Sequence, residues 1–178
     1  MKFREKAGVT YAPVHGRIVL AALAVTLLMA IAVCALHWEN AVSLRGRIPL
    51  SDCAVTDGLA EGLTPLVETA RAQRGILYID GALVREGGIG EVRLRVALIA
   101  RDMREAILLN TQMVRRFDLA RELGCDDHCG FAAAAQVKRL SPGTYDIALL
   151  DEADGERRLV TTACTLTIGK AGSVRLGN

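Results

Sequence analysis

Two cysteines, two aspartates and a histidine crowd into LGCDDHCGF, residues 123–131. Residue types of this kind suit one of two chemistries. A tetrahedral zinc ion takes four Cys, His or carboxylate ligands, and Cys125, His128 and Cys129 with Asp126 or Asp127 would supply them. Alternatively the two thiols oxidise to a disulfide, as they do in compartments that lack a reducing buffer. The spacing weighs against zinc, because structural sites draw two ligands from each of two separated segments. The other histidines are His15 and His37 and the other cysteines Cys34, Cys53 and Cys164, which form no second pair. No metal and no cofactor is expected.

Other reactive constellations are equally thin. Ser43, Ser51, Ser141 and Ser173 stand outside any G-x-S-x-G elbow. Asp126 with Asp127, and Asp151 with Glu152, are sequence neighbours of the kind found in solvated turns. The glycines of EGGIGE, residues 86–91, follow no phosphate-loop pattern and read as a hairpin turn. Catalysis is therefore not expected. In 178 residues, 22 Lys and Arg against 20 Asp and Glu leave a formal charge of +2, too balanced for a nucleic-acid groove. Aromatic residues make up 4%, too few for an open sugar-stacking platform and few enough that the core must be aliphatic.

The compartment of the CDDHC loop is set by residues 18–36, IVLAALAVTLLMAIAVCAL, an uncharged run long enough to cross a bilayer. His37 and Trp38 follow at interface depth, so the span is taken as 18–38. Lys2, Arg4, Lys6 and Arg17 precede it against Glu5 alone, and only Arg45 and Arg47 are basic in the twenty residues after it. The positive-inside rule then puts residues 1–17 in the cytoplasm of a bacterial cell and the rest in the periplasm. A cleaved signal peptide is the alternative, but its small-x-small site, Ala30-Ile31-Ala32, falls inside the apolar run, which is also longer than a signal core. A lipoprotein signal would put bulky Val33 before Cys34. An uncleaved anchor is the reading adopted. Ala22, Thr26, Ala30 and Cys34 recur every fourth residue and would lay small side chains along one face, open to a second helix.

After the span, residues 39–52 read as a stalk and 53–170 as a domain, with 171–178 as a tail; up to about Arg74 the stalk runs into one or two irregular edge strands. Short apolar runs between Gly-rich or charged breaks predict strands: GILYIDGALV, EVRLRVALIA, AILLNTQMV, FAAAAQVKRL, TYDIALLDEADG and ERRLVTTACTLTI. Val92, Leu94, Val96 and Leu98 alternate with Arg93 and Arg95, which predicts one wet face. Asp154-Gly155 marks a hairpin turn. In the last run Val160, Thr162, Cys164, Leu166 and Ile168 are the set expected to face the core. FDLAREL predicts a two-turn helix that buries Phe117, Leu119, Ala120 and Leu123 and ends at Gly124. Six to eight strands and one short helix imply an antiparallel β-sandwich.

The order of motifs resembles that of a family. Gly81 follows the strand ILYID, Arg116-x-Asp118 with Ala120 opens the helix, Gly130-Phe131 opens the next strand, and Leu140-x-Pro142-Gly143-x-Tyr145 leads into the final hairpin. This arrangement resembles the immunoglobulin-like β-sandwich domains appended to bacterial membrane glycosyltransferases and other cell-envelope polysaccharide enzymes, over residues 53–168. Ala82 stands where that family often has Trp, and Phe117 where Pro is common. The resemblance implies an immunoglobulin-like fold and work beside envelope glycans, and it brings no catalytic residue with it. The same residues also have structural roles. Arg116 and Asp118 can pair at the helix start, Phe131 can fill the centre, Pro142-Gly143 sets a turn, and Tyr145 makes a tyrosine corner.

In an oxidising space the four exported cysteines can pair in three ways. The expected pairing is Cys125 with Cys129 across the loop and Cys53 with Cys164 from first strand to last. The expected function is a non-catalytic binding or scaffolding module for envelope-glycan machinery. Its partners would be the membrane, an inner-membrane glycosyltransferase or polysaccharide-export component, and a glycan. The other reading is a structural subunit of a different inner-membrane complex, docked through its helix.

Overall fold

The computed structural model describes residues 16–57, 62–85, 94–101, 104–153 and 156–177. Lys2, Arg4, Glu5, Lys6 and His15, the glycine cluster 86–91 with Val92 and Arg93, and the Asp154-Gly155 turn lie outside the described residues. The chain divides into two compact units, Met1–Glu39 and Asn40–Asn178.

The first unit holds most of helix α1, Gly16–Ala41. Leu, Ile, Val and Ala surround its whole circumference, so it has no apolar face to bury against a core. Ile18–Ala41 is 24 residues, about 36 Å at ~1.5 Å per residue, and none of its most apolar stretch is buried. That is a long apolar helix of membrane-crossing length, an anchor or a signal segment.

The second unit is mainly β. Its strands are β1 (Gly46–Pro49), β2 (Ala54–Asp57), β3 (Leu63–Gln73), β4 (Ile76–Arg85), β5 (Leu94–Ala100), β6 (Glu105–Leu108), β7 (Asn110–Val114), β8 (Gly130–Gln136), β9 (Gly143–Ala153), β10 (Glu156–Ile168) and β11 (Val174–Gly177). Helix α2 (Phe117–Leu123) lies between β7 and β8. One sheet runs β1-β6-β5-β9-β10-β11 and the other β3-β4-β8-β7, so β4 and β5, on either side of residues 86–91, lie in different sheets and do not pair as the expected hairpin. The expected wholly antiparallel arrangement is not what forms, because β2 pairs parallel with β10, Ala54 opposite Arg158, and makes the larger sheet mixed. Between the sheets Leu77, Ile79, Leu98, Phe131, Ile147 and Leu149 share one core.

Residues 39–52 are not a stalk. Val42 is buried, the Gln136 N–H donates to its carbonyl, and β1 pairs with β6. From β1, at one side of the larger sheet, the chain passes through a 3-10 turn, Leu50–Asp52, to β2 on the far side of β10. On the way Ile48, Leu50 and Cys53 pack on Ala97, Ala106, Leu108, Ala148, Leu150 and Leu159. These residues face away from the main core, so β5 is buried on both faces except near Arg95. This is why Leu159 and Val160 are both fully buried where one of the two was expected to face water. Of the expected inward set, Val160, Leu166 and Ile168 are buried in the main core and Cys164 packs half-buried against it; the register with β9 shifts between Thr161 and Thr165. The end of the chain is likewise not a tail, since β11 pairs with β10.

Two further departures shape the site. AILLNTQMV is not one strand: it leaves the larger sheet at Leu109, whose N–H donates to the Val96 carbonyl, and continues as β7 in the smaller one. In addition, β3 is a full-length strand, joined to β4 by the two-residue turn Arg74-Gly75. Both turn residues have positive φ, 52° and 75°, as a type I′ hairpin requires.

Candidate functional site

The residues that carry chemistry converge where β3, β4, β7, α2 and β8 meet. Phe131 lies at the bottom, 2% exposed, in the main core. Gly81 opposes it across the β4–β8 ladder. A Cβ at Gly81 would run into the Leu66 carbonyl oxygen and come within 2.7 Å of the Phe131 ring, so only hydrogen fits. β3 bulges between Val67 and Thr69 at this level, which brings Glu68 to the site. Gly130 meets the next layer, since its Cβ would stand 2.5 Å from Arg116 Cγ and 2.6 Å from the Val114 carbonyl.

Arg116 ties the layers together. Its Nε and Nη2 donate to both carboxylate oxygens of Asp118 at 2.6–3.2 Å, and Nη2 also donates to Glu68 Oε1 at 2.7 Å. A fork-shaped guanidinium suits this two-carboxylate geometry, which an ammonium could not match. The bond to Arg116 holds the Asp118 carboxyl down to about 2, helped by the backbone N–H groups of Leu119 and Asp118 at the helix start. The expected pairing of Arg116 with Asp118 is present. Its third member, Glu68, carries no local sequence signal, being 48 residues away. Glu68, Asp80, Gly81, Val114, Arg116 and Phe131 line an open pocket of about 310 Å³.

Helix α2 ends as expected: Gly124 is left-handed (φ 65°, ψ 27°) and its N–H donates to the Ala120 carbonyl. The expected burial does not occur. No residue of α2 is buried, Phe117 is 64% exposed and Leu123 51%, and the Arg115 guanidinium stands 6.0 Å from the centre of the Phe117 ring. A seven-residue helix held at its ends by Arg116 and Gly124 has no need of an apolar face.

The CDDHC loop follows as a single 3-10 turn, Asp127–Cys129, capped by Asp126, whose carboxylate accepts from the His128 N–H at 2.8 Å. That bond depresses the Asp126 pKa. The loop is fastened to the Arg116 knot by the Arg116 N–H, which donates to the Asp127 carbonyl at 2.6 Å. His128 Nε2 faces Arg115 Nε at 3.1 Å and its Nδ1 faces Asp127 Oδ1 at 2.6 Å. Arg115 has only N–H groups to offer, so Nε2 is an acceptor and the proton of the neutral ring sits on Nδ1, given to Asp127.

The four-ligand zinc arrangement is not assembled. The ligand atoms of Asp126, Asp127 and His128 come within 4.8 Å of one another, but no cysteine joins them. Each is committed to a neighbour, and an arginine occupies the lone pair the ring would give a cation. The donor set does not fit a tetrahedral ion.

The cysteines settle differently from the expectation. Cys125 and Cys129 lie together, Sγ to Sγ 3.8 Å, as a thiol pair with no bond between them. Burial, then the Cys125 thiol, push the Cys129 pKa up to about 11. Cys53 and Cys164 are far apart. The β2–β10 register puts Cys53 level with Arg157, and Cys164 lies seven positions further along β10, roughly 20 Å at ~3.3 Å per residue. A disulfide needs Cα atoms within about 7 Å. They also pack on opposite faces of the sheet, Cys164 against the main core and Cys53 in the outer cluster.

The remaining motif residues are structural. Tyr145 is 2% exposed and its hydroxyl donates to the Ser141 carbonyl at 2.7 Å, closing a corner over the turn that holds Pro142 and Gly143. In α1, the Thr26 hydroxyl donates to the Ala22 carbonyl at 2.9 Å, and Ala22, Thr26, Ala30 and Cys34 are all exposed. Asp151, expected as a solvated turn residue beside Glu152, is instead buried in β9 at 1% exposure; Arg85 reaches it from the other sheet at 2.7 Å, while its second oxygen has no partner. Comparison of the chain with protein-family models, with curated proteins and with solved structures finds no match.

Proposed function

We propose that this chain is a single-pass protein of the bacterial inner membrane. Its N-terminus is cytoplasmic and its β domain is a periplasmic, non-catalytic module of immunoglobulin-like type that binds or scaffolds cell-envelope glycan machinery. The observation that carries the reading is Ile18–Ala41, an apolar helix with none of its most apolar stretch buried, in a chain whose second unit has a complete core of its own. Such a helix in water would expose a continuous apolar surface; a bilayer removes that cost. The scaffolding role is supported by the site, where Arg116 spends its hydrogen bonds on Asp118 and Glu68, and His128 its own on Arg115, Asp126 and Asp127. The glycan assignment rests on the order of Gly81, Arg116-x-Asp118, Gly130-Phe131 and Pro142-Gly143-x-Tyr145. The tyrosine corner favours the immunoglobulin-like reading.

Two experiments test it. An alkaline-phosphatase fusion at the C-terminus should be active and a cytoplasmic reporter at the same point silent; the reverse would sink the topology. Affinity purification in mild detergent should recover a glycosyltransferase or polysaccharide-export component. Repeated recovery of none removes the glycan assignment while leaving the anchor intact.

A second reading is a structural accessory subunit of another inner-membrane complex, docked through α1. The Thr26–Ala22 bond favours it, because the hydroxyl is satisfied within its own helix and leaves a smooth strip of small side chains. Ala30→Leu should then release the chain from its assembly on native gels with the β domain still folded.

A further inference from the structure

We propose that Cys125 and Cys129 form a directional thiol–disulfide exchange site, in which Cys125 meets the incoming disulfide and Cys129 closes the ring behind it. The product is an intramolecular disulfide that closes the CDDHC loop beside the Arg116 knot. Three observations carry the inference. The two sulfurs are already in contact at 3.8 Å, so bonding needs an approach of under ~2 Å. Their access is unequal: Cys125 is half-buried, next to the left-handed Gly124, whereas Cys129 is 2% exposed at the mouth of β8. The loop between them is held by the Asp126 cap and by the Arg116 N–H bond to the Asp127 carbonyl, so the thiols are presented together without folding work. Cys53 and Cys164 do not compete, since they pack in the two separate apolar clusters.

The chemistry balances with any disulfide as oxidant, whether an oxidoreductase disulfide or a small one such as oxidised glutathione. The Cys125 thiolate attacks one sulfur of the oxidant, forms a mixed disulfide and expels one oxidant thiolate. Cys129 then gives up its proton and attacks Cys125 Sγ, expelling the second. One disulfide is consumed and one formed, and the two cysteine protons end on the two released thiols. Reduction must retrace this path, entering at Cys125 because no reductant reaches Cys129. The Cys129 thiolate so expelled stays beside the mixed disulfide and closes the ring again, so net opening is slow in the folded protein.

The test uses the purified full chain in mild detergent, reduced, freed of reductant and exposed to oxidised glutathione, with peptide 122–138, which holds both cysteines, read by mass spectrometry after alkylation. Wild type should yield that peptide unalkylated until reductant is added. Opening by dithiothreitol should be at least about tenfold slower in the native chain than in urea. Cys129→Ala should halt at a glutathione adduct on Cys125, and Cys125→Ala should leave Cys129 unmodified over the same time. A doubly alkylated peptide, a lasting adduct on wild-type Cys125, or equal adduct formation in the two variants would each overturn the proposal. A circular-dichroism spectrum matching wild type certifies that a variant is folded, and Cys129→Ser replaces Cys129→Ala if the latter is not. Alkylation in intact cells separates this claim from the topology. Thiols found reduced in cells but closing in the purified chain would leave this inference standing and refute the periplasmic location.

Discussion

Arg85→Met tests whether the two sheets are locked by charge. The Arg85–Asp151 pair spans them, with Nη2 to Oδ2 at 2.7 Å, and it is the acid, not the base, that is buried: side-chain exposure is 1% for Asp151 and 35% for Arg85. Removing the partner of a buried charge costs about 3–5 kcal/mol, and the solvent available to Arg85 lowers this to about 2–4 kcal/mol. With a urea slope of ~1–3 kcal/mol per molar, the unfolding midpoint should fall by roughly 1–2 M. The double variant Arg85→Met/Asp151→Leu removes both charges from the same space, and with them the unpartnered Asp151 oxygen. It should return to within about 1 kcal/mol of wild type. The assay is pulse proteolysis of the full chain in mild detergent across a urea series. Indole fluorescence would mislead, because the single tryptophan, Trp38, belongs to α1 and not to the β domain. If Arg85→Met changes the midpoint by less than the equivalent of ~0.5 kcal/mol, or the double variant is as unstable as the single, the charge-lock argument fails.

Gly81→Ala forces the Leu66 backbone and the Phe131 ring apart and should cost about 1–3 kcal/mol on the same assay. No loss would mean that β3 does not approach as described. Asp118 sets an acid limit. Its folded pKa of about 2 lies below the ordinary 3.8, so it contributes stability above the unfolded value, a contribution that drains as pH falls from about 4 towards 2. Asp118→Asn should be less stable than wild type at neutral pH and should lose stability less steeply across that acid window, read from unfolding midpoints at successive pH values; parallel curves would contradict the Arg116 knot.

Legibility in the sequence tracked how local each determinant is. The pairing of Arg116 with Asp118, the Gly124 cap and the Tyr145 corner span two to four residues and could be anticipated. Glu68 reaches Arg116 and Arg85 reaches Asp151 across chain separations of 48 and 66 residues, and neither has a neighbour that announces its partner. β3 was legible only as an irregular edge strand, and for another reason. LTPLVETARAQ has Pro, Glu, Ala and Arg where a strand prefers branched residues, and it is mostly half-buried or exposed, so no alternation marks it. The expected apolar face of α2 had the right periodicity and the wrong consequence: periodicity shows which residues share a side, not whether anything covers it.

By itself the sequence determined the apolar helix, the β9–β10 hairpin, most of the core and the closeness of Cys125 to Cys129, because each follows from residues adjacent along one strand, turn or helix. Tertiary structure alone decided that residues 40–52 belong to the domain, that the chain changes sheets at Leu109, and that Cys53 and Cys164 stay apart. Those outcomes depend on register between distant strands, where a shift of one residue exchanges inside for outside, and no single segment encodes its own register.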